Sequence, residues 1–209
     1  MVFYFTTSDP EILVYMGRDK HENEHLIKHG WDEDVWFHVD KMSSAHVYLR
    51  LKPGMTIDTI PPEVLLDCAQ LTKHNSIEGN KANNVVIVYT PWGNLKKTGD
   101  MDVGQVSFHN HKAVKRINVD RRDNTIINRL NKTKEEKDPD LAKEKEDRIK
   151  SLKRKELTEK KEKERKEKEE MERRKKEKES RTYDNLHDEE KMESNKAQQD
   201  FNSFEDDFM

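Results

Sequence analysis

The chain has 209 residues, of which 32% are hydrophobic and 40% are charged. An average globular protein is about half apolar and one quarter charged, so this composition differs from that of one uniformly packed domain. The single cysteine, Cys68, excludes an internal disulfide. No stretch approaches the run of about 18 apolar residues that a membrane-spanning helix needs, so the sequence predicts at most peripheral membrane association.

Charge divides the chain into three segments. Residues 1–120 carry 13 Lys and Arg against 16 Asp and Glu, and they contain all three tryptophans. Residues 121–180 carry 24 against 18, and residues 181–209 carry 3 against 9. The formal net charge of -3 therefore conceals a basic segment that is followed by an acidic one. We see no leader with a basic start and an apolar run, and we expect a reducing, cytoplasmic location.

The first segment alternates strand-like and helix-like stretches. Its patterns predict strands at 1–7, 12–17, 34–39, 45–51 and 83–91, a final strand pair in 105–119, and helices at 18–30 and 61–79. In the second helix Val64, Leu65, Cys68 and Leu71 form an apolar stripe behind Pro61 and Pro62. No repeated βαβ order is present, so we predict an α+β fold: one compact domain, 1–120, with a mixed, mostly antiparallel sheet and a few helices.

The segment from 121 to 180 predicts a charged helical rod. Ile126, Ile127 and Leu130 are placed to dock on the domain, and Asp138 with Pro139 is typical of a helix start. Apolar residues are too few for a continuous coiled-coil seam, whereas Glu and Lys or Arg pairs four residues apart are frequent. The rod is therefore a coiled coil that pairs two copies of the chain or, as the charge pairs favour, a single helix.

Residues 181–209 predict a disordered acidic tail. Phe201, Phe204 and Phe208 are spaced along it. Such residues are typical of a peptide that docks on a protein partner, although chance composition explains the same spacing.

The stretch "DVWFHVDKMSSAHVYLR" at 34–50 raises the main functional question. The two-residue period of a strand places Phe37 and Val39 on one face and Trp36 and His38 on the other. His46, Tyr48 and Arg50 extend this second face from the next strand. Such groups stack on bases and pair with phosphates, so we predict that they face water. The alternative is that the face is covered and its histidines are satisfied inside the protein.

Catalytic and metal sites are not indicated. The chain has no GxSxG motif, no Gly-rich phosphate loop and no HExxH spacing, and Cys68 lies on an apolar helix stripe where it is expected to be inert. Two histidines with Asp40 are a weak metal signal. We therefore predict a binding protein with no enzyme activity and no cofactor.

Four stretches resemble the NFACT-R domain, also called DUF814: "DVWFHVDKMSSAHVYLR", "CAQLTKHNS", "NNVVIVYTPWGNLKK" and "DMDVGQVSFHNHKAV". The resemblance covers about residues 1–120. Relatives carry this domain within large ribosome-quality-control factors that engage obstructed large ribosomal subunits and tRNA, so the resemblance implies RNA or, more broadly, nucleic-acid binding. The chain is too short for the other domains of those factors, and their peptide-tailing activity is not carried over. The positions that match the family pattern are Trp36, His38, Ser43, Ser44, His46, Lys73, Asn75, Ser76, Tyr89, Thr90, Lys96 and Lys97.

Together these signals predict a nucleic-acid-binding module, with RNA favoured over DNA and the ribosome as a further partner. A protein-interaction adaptor that acts through its acidic tail, and a DNA-binding protein that uses the same surface, are the alternatives. The predicted nucleic-acid-binding residues are Trp36, His38, His46, Tyr48, Arg50, Lys73, Asn75, Ser76, Tyr89, Lys96, Lys97 and Lys112.

Overall fold

The computed structural model describes residues 1–181. Within them the strands are Val2–Thr6 (β1), Leu13–Gly17 (β2), Asp34–Val39 (β3), Val47–Arg50 (β4), Val85–Pro91 (β5), Leu95–Lys96 (β6), Ser107–Phe108 (β7), Lys115–Val119 (β8) and Glu135–Lys137 (β9). The α-helices are Lys20–His29 (α1), Pro62–His74 (α2), Asn124–Lys132 (α3) and Leu141–Arg181 (α4). Short 3-10 turns lie at Trp92–Asn94 and His111–Ala113.

Seven strands form one sheet in the order β8-β5-β3-β4-β2-β1-β9, and β6 pairs separately with β7. Every pairing between these strands is antiparallel. At the centre of the sheet Phe37 of β3 lies opposite Val47 of β4 and Tyr89 of β5. The predicted α+β class with a mostly antiparallel sheet is confirmed.

One face of the sheet packs against α2 and α3. Val64, Cys68 and Leu71 of α2 are at most 1% exposed, which confirms their apolar stripe. Burial raises the pKa of the Cys68 thiol, because the thiolate would lose its hydration there. Ile127 and Leu130 of α3 are also buried, so the predicted docking of this helix is confirmed.

The structure corrects three details of the sequence analysis. The compact unit runs from Met1 to Lys150 and not to residue 120, because β9 pairs with β1 and α3 contacts α2. The strands in 105–119 do not pair with each other: β7 pairs with β6, and β8 pairs with β5. The last helix begins at Leu141, where the Asp140 carboxylate accepts from the Lys143 N–H, and not at Asp138 and Pro139.

The helix α4 is continuous for 41 residues, about 60 Å at 1.5 Å per residue. No residue along it is buried, and ion pairs four residues apart recur on its surface, such as Glu162 with Lys166 and Glu170 with Arg174. Its part from Ser151 onward belongs to a second unit. The predicted acidic tail begins at residue 181, but Arg181 belongs to α4, and the rest of the predicted tail, residues 182–209, lies outside the described part of the chain. Within residues 1–181, no helix has the length and apolar character to cross a membrane.

Candidate nucleic-acid interface

The second face of the central strands is covered. Trp36 is 2% exposed, His46 3% and Tyr48 0%, so the prediction that these side chains face water was wrong. Their strand alternation was correct, because Trp36 and Tyr48 belong to a different apolar cluster from Phe37 and Leu49. The cover comes from distant segments, which contribute Leu26, Trp92, Leu95, Val106, Phe108 and Leu141. The sheet therefore has an apolar layer on each face.

His46 and Trp36 bind each other inside this second layer. The indole Nε1–H of Trp36 donates to His46 Nδ1 over 2.9 Å, and the two rings meet edge to face. Because Nδ1 accepts this bond, the His46 ring is neutral. Burial lowers the pKa of His46 to about 3, since an imidazolium would lose its hydration there. The two residues stabilise the domain and are not open to a ligand.

Arg50 is also held within the protein. Its guanidinium binds Asp34, a fully buried carboxylate, with an Nε to Oδ1 distance of 2.9 Å. Asp34 further accepts from the Tyr15 hydroxyl and from the Trp31 N–H. The Arg50 guanidinium lies 3.6 Å from the centre of the Trp31 ring, a close cation–π contact. Because the Asp34 carboxylate is buried, its charge needs the Arg50 guanidinium as a partner. Arg50 therefore has few N–H donors left for a phosphate.

The predicted site at the end of α2 is a structural support. Lys73 is fully buried, and its ammonium donates to the carbonyl oxygens of Gly79 and Ala82. Desolvation lowers the pKa of this lysine. The Ser76 hydroxyl donates to the Ser43 carbonyl over 2.7 Å, which joins the loop after α2 to the turn after β3.

Three other predicted residues also have partners within the protein. The Asn75 amide donates to the Leu71 carbonyl at the end of α2. Tyr89 stacks on Phe37 in the apolar cluster of the sheet face that packs against α2 and α3, with 5.3 Å between ring centres. Lys97 forms a 2.7 Å ion pair with Glu24 and donates to two backbone carbonyls of its own loop. These contacts shape the domain around the remaining candidates.

The remaining predicted residues His38, Lys96 and Lys112 reach the surface, and strand pairing and ring contacts of their neighbours link the three positions. His38 is partly exposed on β3, while Lys96 on β6 and Lys112 in the second 3-10 turn are exposed. The β6–β7 pairing places Phe108 next to this region, 5.7 Å from Trp36 and 5.8 Å from His111 between ring centres. We call this surface the His38 face, and its residues are His38, Lys96, Phe108, His109, His111, Lys112 and Arg116.

The His38 face carries Lys96, Lys112 and Arg116, with Asp40 close to Arg116 and Asp100 close to Lys96. Within residues 1–181, neither Lys96 nor Lys112 has an ion-pair partner. Arg116 contacts Asp40 at 3.9 Å, and its side chain remains 63% exposed. Partly exposed rings beside exposed cations can stack on bases and bind phosphates.

Neither Phe108 nor Arg116 is among the nucleic-acid-binding residues predicted from the sequence. The alternation of β8 indicates that Arg116 is exposed. By contrast, β7 has only two residues, too few for a periodic pattern. The part of the chain that the structure describes contains no cluster of three or more metal-ligating side chains.

Residues 1–110 match the family described as "NFACT protein RNA binding domain". The chain is 65% identical over 150 residues to coiled-coil domain-containing protein 25 of Danio rerio, and the matched region covers 71% of this chain and 72% of that protein. It is 56% identical over 207 residues to the protein of the same name from Mus musculus, covering 98% of this chain and 100% of the relative.

A solved structure shares the fold. The C-terminal part of the fibronectin/fibrinogen-binding protein from Streptococcus suis superposes with a TM-score of 0.51 at 20% identity, over 61% of this chain and 48% of that one. At this identity the likeness concerns the fold alone. The family match and the two close relatives carry the assignment: this chain belongs to the NFACT protein RNA binding domain family.

Proposed function

We propose that this protein binds RNA through the His38 face, without catalysing a reaction. The proposal rests on two features: Lys96 and Lys112 are exposed and make no ion pair within residues 1–181, and the partly exposed rings of His38 and Phe108 both contact Trp36. Each stacked base contributes about 1 to 3 kcal/mol. Membership of an RNA-binding domain family supports RNA as the ligand class.

The helix α4 supplies further, sequence-independent phosphate contacts. It carries 19 Lys and Arg against 13 Asp and Glu, all of them on a helix without buried residues. Each phosphate that a cation neutralises adds about -0.7 to -0.9 to the slope of log affinity against log salt concentration. The helix therefore strengthens binding without selecting a sequence.

The test uses the full chain and a fluorescent structured RNA. Replacing Lys96, Lys112 and Arg116 together by Ala is expected to weaken binding about tenfold or more and to reduce the salt slope by about 2 to 3. A matched triple variant, Lys20→Ala with Lys28→Ala and Lys81→Ala, removes the same charge from exposed positions elsewhere on the domain. Equal affinities of the two triple variants would show that the His38 face is not the interface. Competition with DNA of equal length at one salt concentration tests the preference for RNA.

The cellular setting in this proposal is the cytoplasm, with tRNA or the ribosome as the source of the RNA. Co-sedimentation of the tagged protein with ribosomes from a cytoplasmic fraction tests this setting. We expect Lys96, Lys112 and Arg116 to be required and nuclease treatment to release the protein. Retention after nuclease treatment would favour the alternative of a protein-interaction adaptor.

A further inference from the structure

The ring of His38 is held in one orientation by its neighbours. It stacks parallel to the Trp36 indole with 5.3 Å between ring centres and 4° between planes. The edge of His46 approaches it at 5.0 Å and 78°. Because Trp36 and His46 are themselves bound to each other within the second layer, the position of His38 is set before a ligand arrives.

The hydrogen-bond pattern also sets the proton position of His38. Its Nδ1 lies 2.7 Å from the Val39 carbonyl oxygen. A carbonyl oxygen only accepts, so Nδ1 carries the proton and Nε2 of the neutral ring carries a lone pair. Within residues 1–181, His38 Nε2 has no hydrogen-bond partner. It is also not one of the polar side-chain atoms that are buried away from water without a partner. It therefore reaches solvent as a hydrogen-bond acceptor on the His38 face.

The groups around His38 keep this acceptor available. Burial among Trp36 and its neighbours lowers the pKa of His38, and nearby Asp40 opposes this shift only in part. Asp40 contacts Arg116 of β8, which moderates its charge, and His46 of β4 faces the ring from the other side. The ring is accordingly neutral at neutral pH, with Nε2 unprotonated.

We propose that His38 Nε2 accepts a hydrogen bond from a nucleotide, and that this contact determines which nucleic acids the His38 face prefers. This inference rests on the proposed function of the same face. Nucleotides offer such a donor on the ribose, as the 2′-hydroxyl that DNA lacks, and on the bases, as the exocyclic amine of adenine or the N3–H of uracil. Acceptance from the hydroxyl selects RNA over DNA, whereas acceptance from a base donor selects bases.

The experiment measures binding of the full chain to four short oligomers of equal length, made of uridine, deoxyuridine, adenosine or deoxyadenosine. His38→Phe keeps an aromatic ring on Trp36 and removes the acceptor. His38→Gln retains a side-chain amide oxygen that can accept. His109→Phe is the control, because His109 is exposed on the same face and is not in ring contact with Trp36. Circular dichroism melts establish that each variant is folded.

If His38 accepts from the 2′-hydroxyl, His38→Phe weakens binding of both ribo-oligomers about 3- to 10-fold and leaves the affinity for both deoxy-oligomers unchanged. If His38 accepts from a base donor, the two oligomers of that base weaken and the two oligomers of the other base do not. In both cases His38→Gln recovers part of the loss, and His109→Phe does not reproduce the pattern. Equal loss for all four oligomers, or no loss for any, would overturn the inference while leaving RNA binding in place. A parent protein that binds none of them removes the proposed function itself.

Discussion

The backbone of Gly30 lies against the indole ring of Trp92 at the end of α1, and a methyl group on Gly30 would overlap ring atoms Nε1 and Cδ1. The same Nε1–H donates over 3.0 Å to the Ile27 carbonyl oxygen, one of the last carbonyls of α1. These carbonyls have no partner within a helix. A residue without a side chain at position 30 therefore allows Trp92 to cap α1.

Gly30→Ala should accordingly destabilise the domain. The added methyl group displaces Trp92, which loses its hydrogen bond, and overpacking of this kind costs about 1 to 3 kcal/mol. Urea unfolding followed by circular dichroism measures the change. Gly93→Ala is the matched control, because a methyl group there meets no atom within 4 Å. Unchanged stability of Gly30→Ala would contradict the close contact.

The domain should also lose stability in mild acid because His46 is buried as a neutral ring. Its pKa is about 3 in the folded chain against a usual 6.5, so the unfolded chain binds more protons between these values. Stability therefore rises with pH through this window and falls as the pH drops from about 6.5 towards 3. The slope that one such group adds is at most about 1.4 kcal/mol per pH unit.

His46→Gln isolates this contribution, since the Gln amide oxygen can accept from Trp36 and does not titrate. Denaturant unfolding at a series of pH values should show a shallower loss of stability for His46→Gln than for the parent. His21→Gln, at an exposed position on α1, should keep the parent slope. The same slope in all three proteins would count against a buried neutral His46.

The alternation of β3 and β4 was enough to predict which side chains share a face, but not whether that face is open. Phe37 and Trp36 were assigned to opposite faces correctly. The cover over Trp36 comes from Leu26 on the preceding helix α1, and from Phe108 and Leu141, which lie far along the chain. Phe108 belongs to a two-residue strand, which has no period to detect. Local pattern specifies the direction of a side chain, whereas its exposure depends on tertiary contacts.

Lys73 illustrates the same limit for charge. At the end of a helix a lysine is expected to be solvated and favoured by the dipole. In the structure its ammonium instead satisfies two carbonyl oxygens of the loop after α2. No signal near position 73 in the sequence indicates this, because the partners are defined only when the loop folds back. Lys96 on β6 and Lys112 in a 3-10 turn stay exposed, as is expected of a lysine.

Lys73→Met should therefore act on stability. Methionine fills similar space but leaves the Gly79 and Ala82 carbonyl oxygens without a donor, at a cost of about 1 to 3 kcal/mol for such a buried group. Thermal unfolding should show a lower midpoint for Lys73→Met. Lys81→Met, at an exposed position in the same loop, is the control and should melt like the parent. A shared midpoint would mean that the buried contacts of Lys73 contribute nothing.

The beginning of α4 should depend on two tryptophans of the domain. The Lys145 ammonium lies 4.1 Å from the centre of the Trp92 ring, and the Arg148 guanidinium lies 5.3 Å from the centre of the Trp31 ring and pairs with Glu33. Cation–π contacts of this kind contribute about 0.5 to 2 kcal/mol each. Lys145→Gln with Arg148→Gln should speed hydrogen exchange in the first turns of α4. Lys150→Gln, whose partner Glu146 lies on the same helix, is the control and should leave exchange unchanged.

The remainder of α4 should behave as a single, salt-sensitive helix and not as half of a coiled coil. Its large apolar side chains, Ile149, Leu152, Leu157 and Met171, do not share one a/d heptad register and are between 39% and 71% exposed. Helicity there depends on pairs such as Glu172 with Lys176, which are worth about 0.2 to 0.5 kcal/mol each and are screened by salt. Light scattering of the full chain should give a monomer at micromolar concentration, and circular dichroism should show less helix at 1 M than at 0.05 M sodium chloride. A concentration-dependent dimer with salt-resistant helicity would instead require an apolar seam, which these four side chains cannot supply at their spacing.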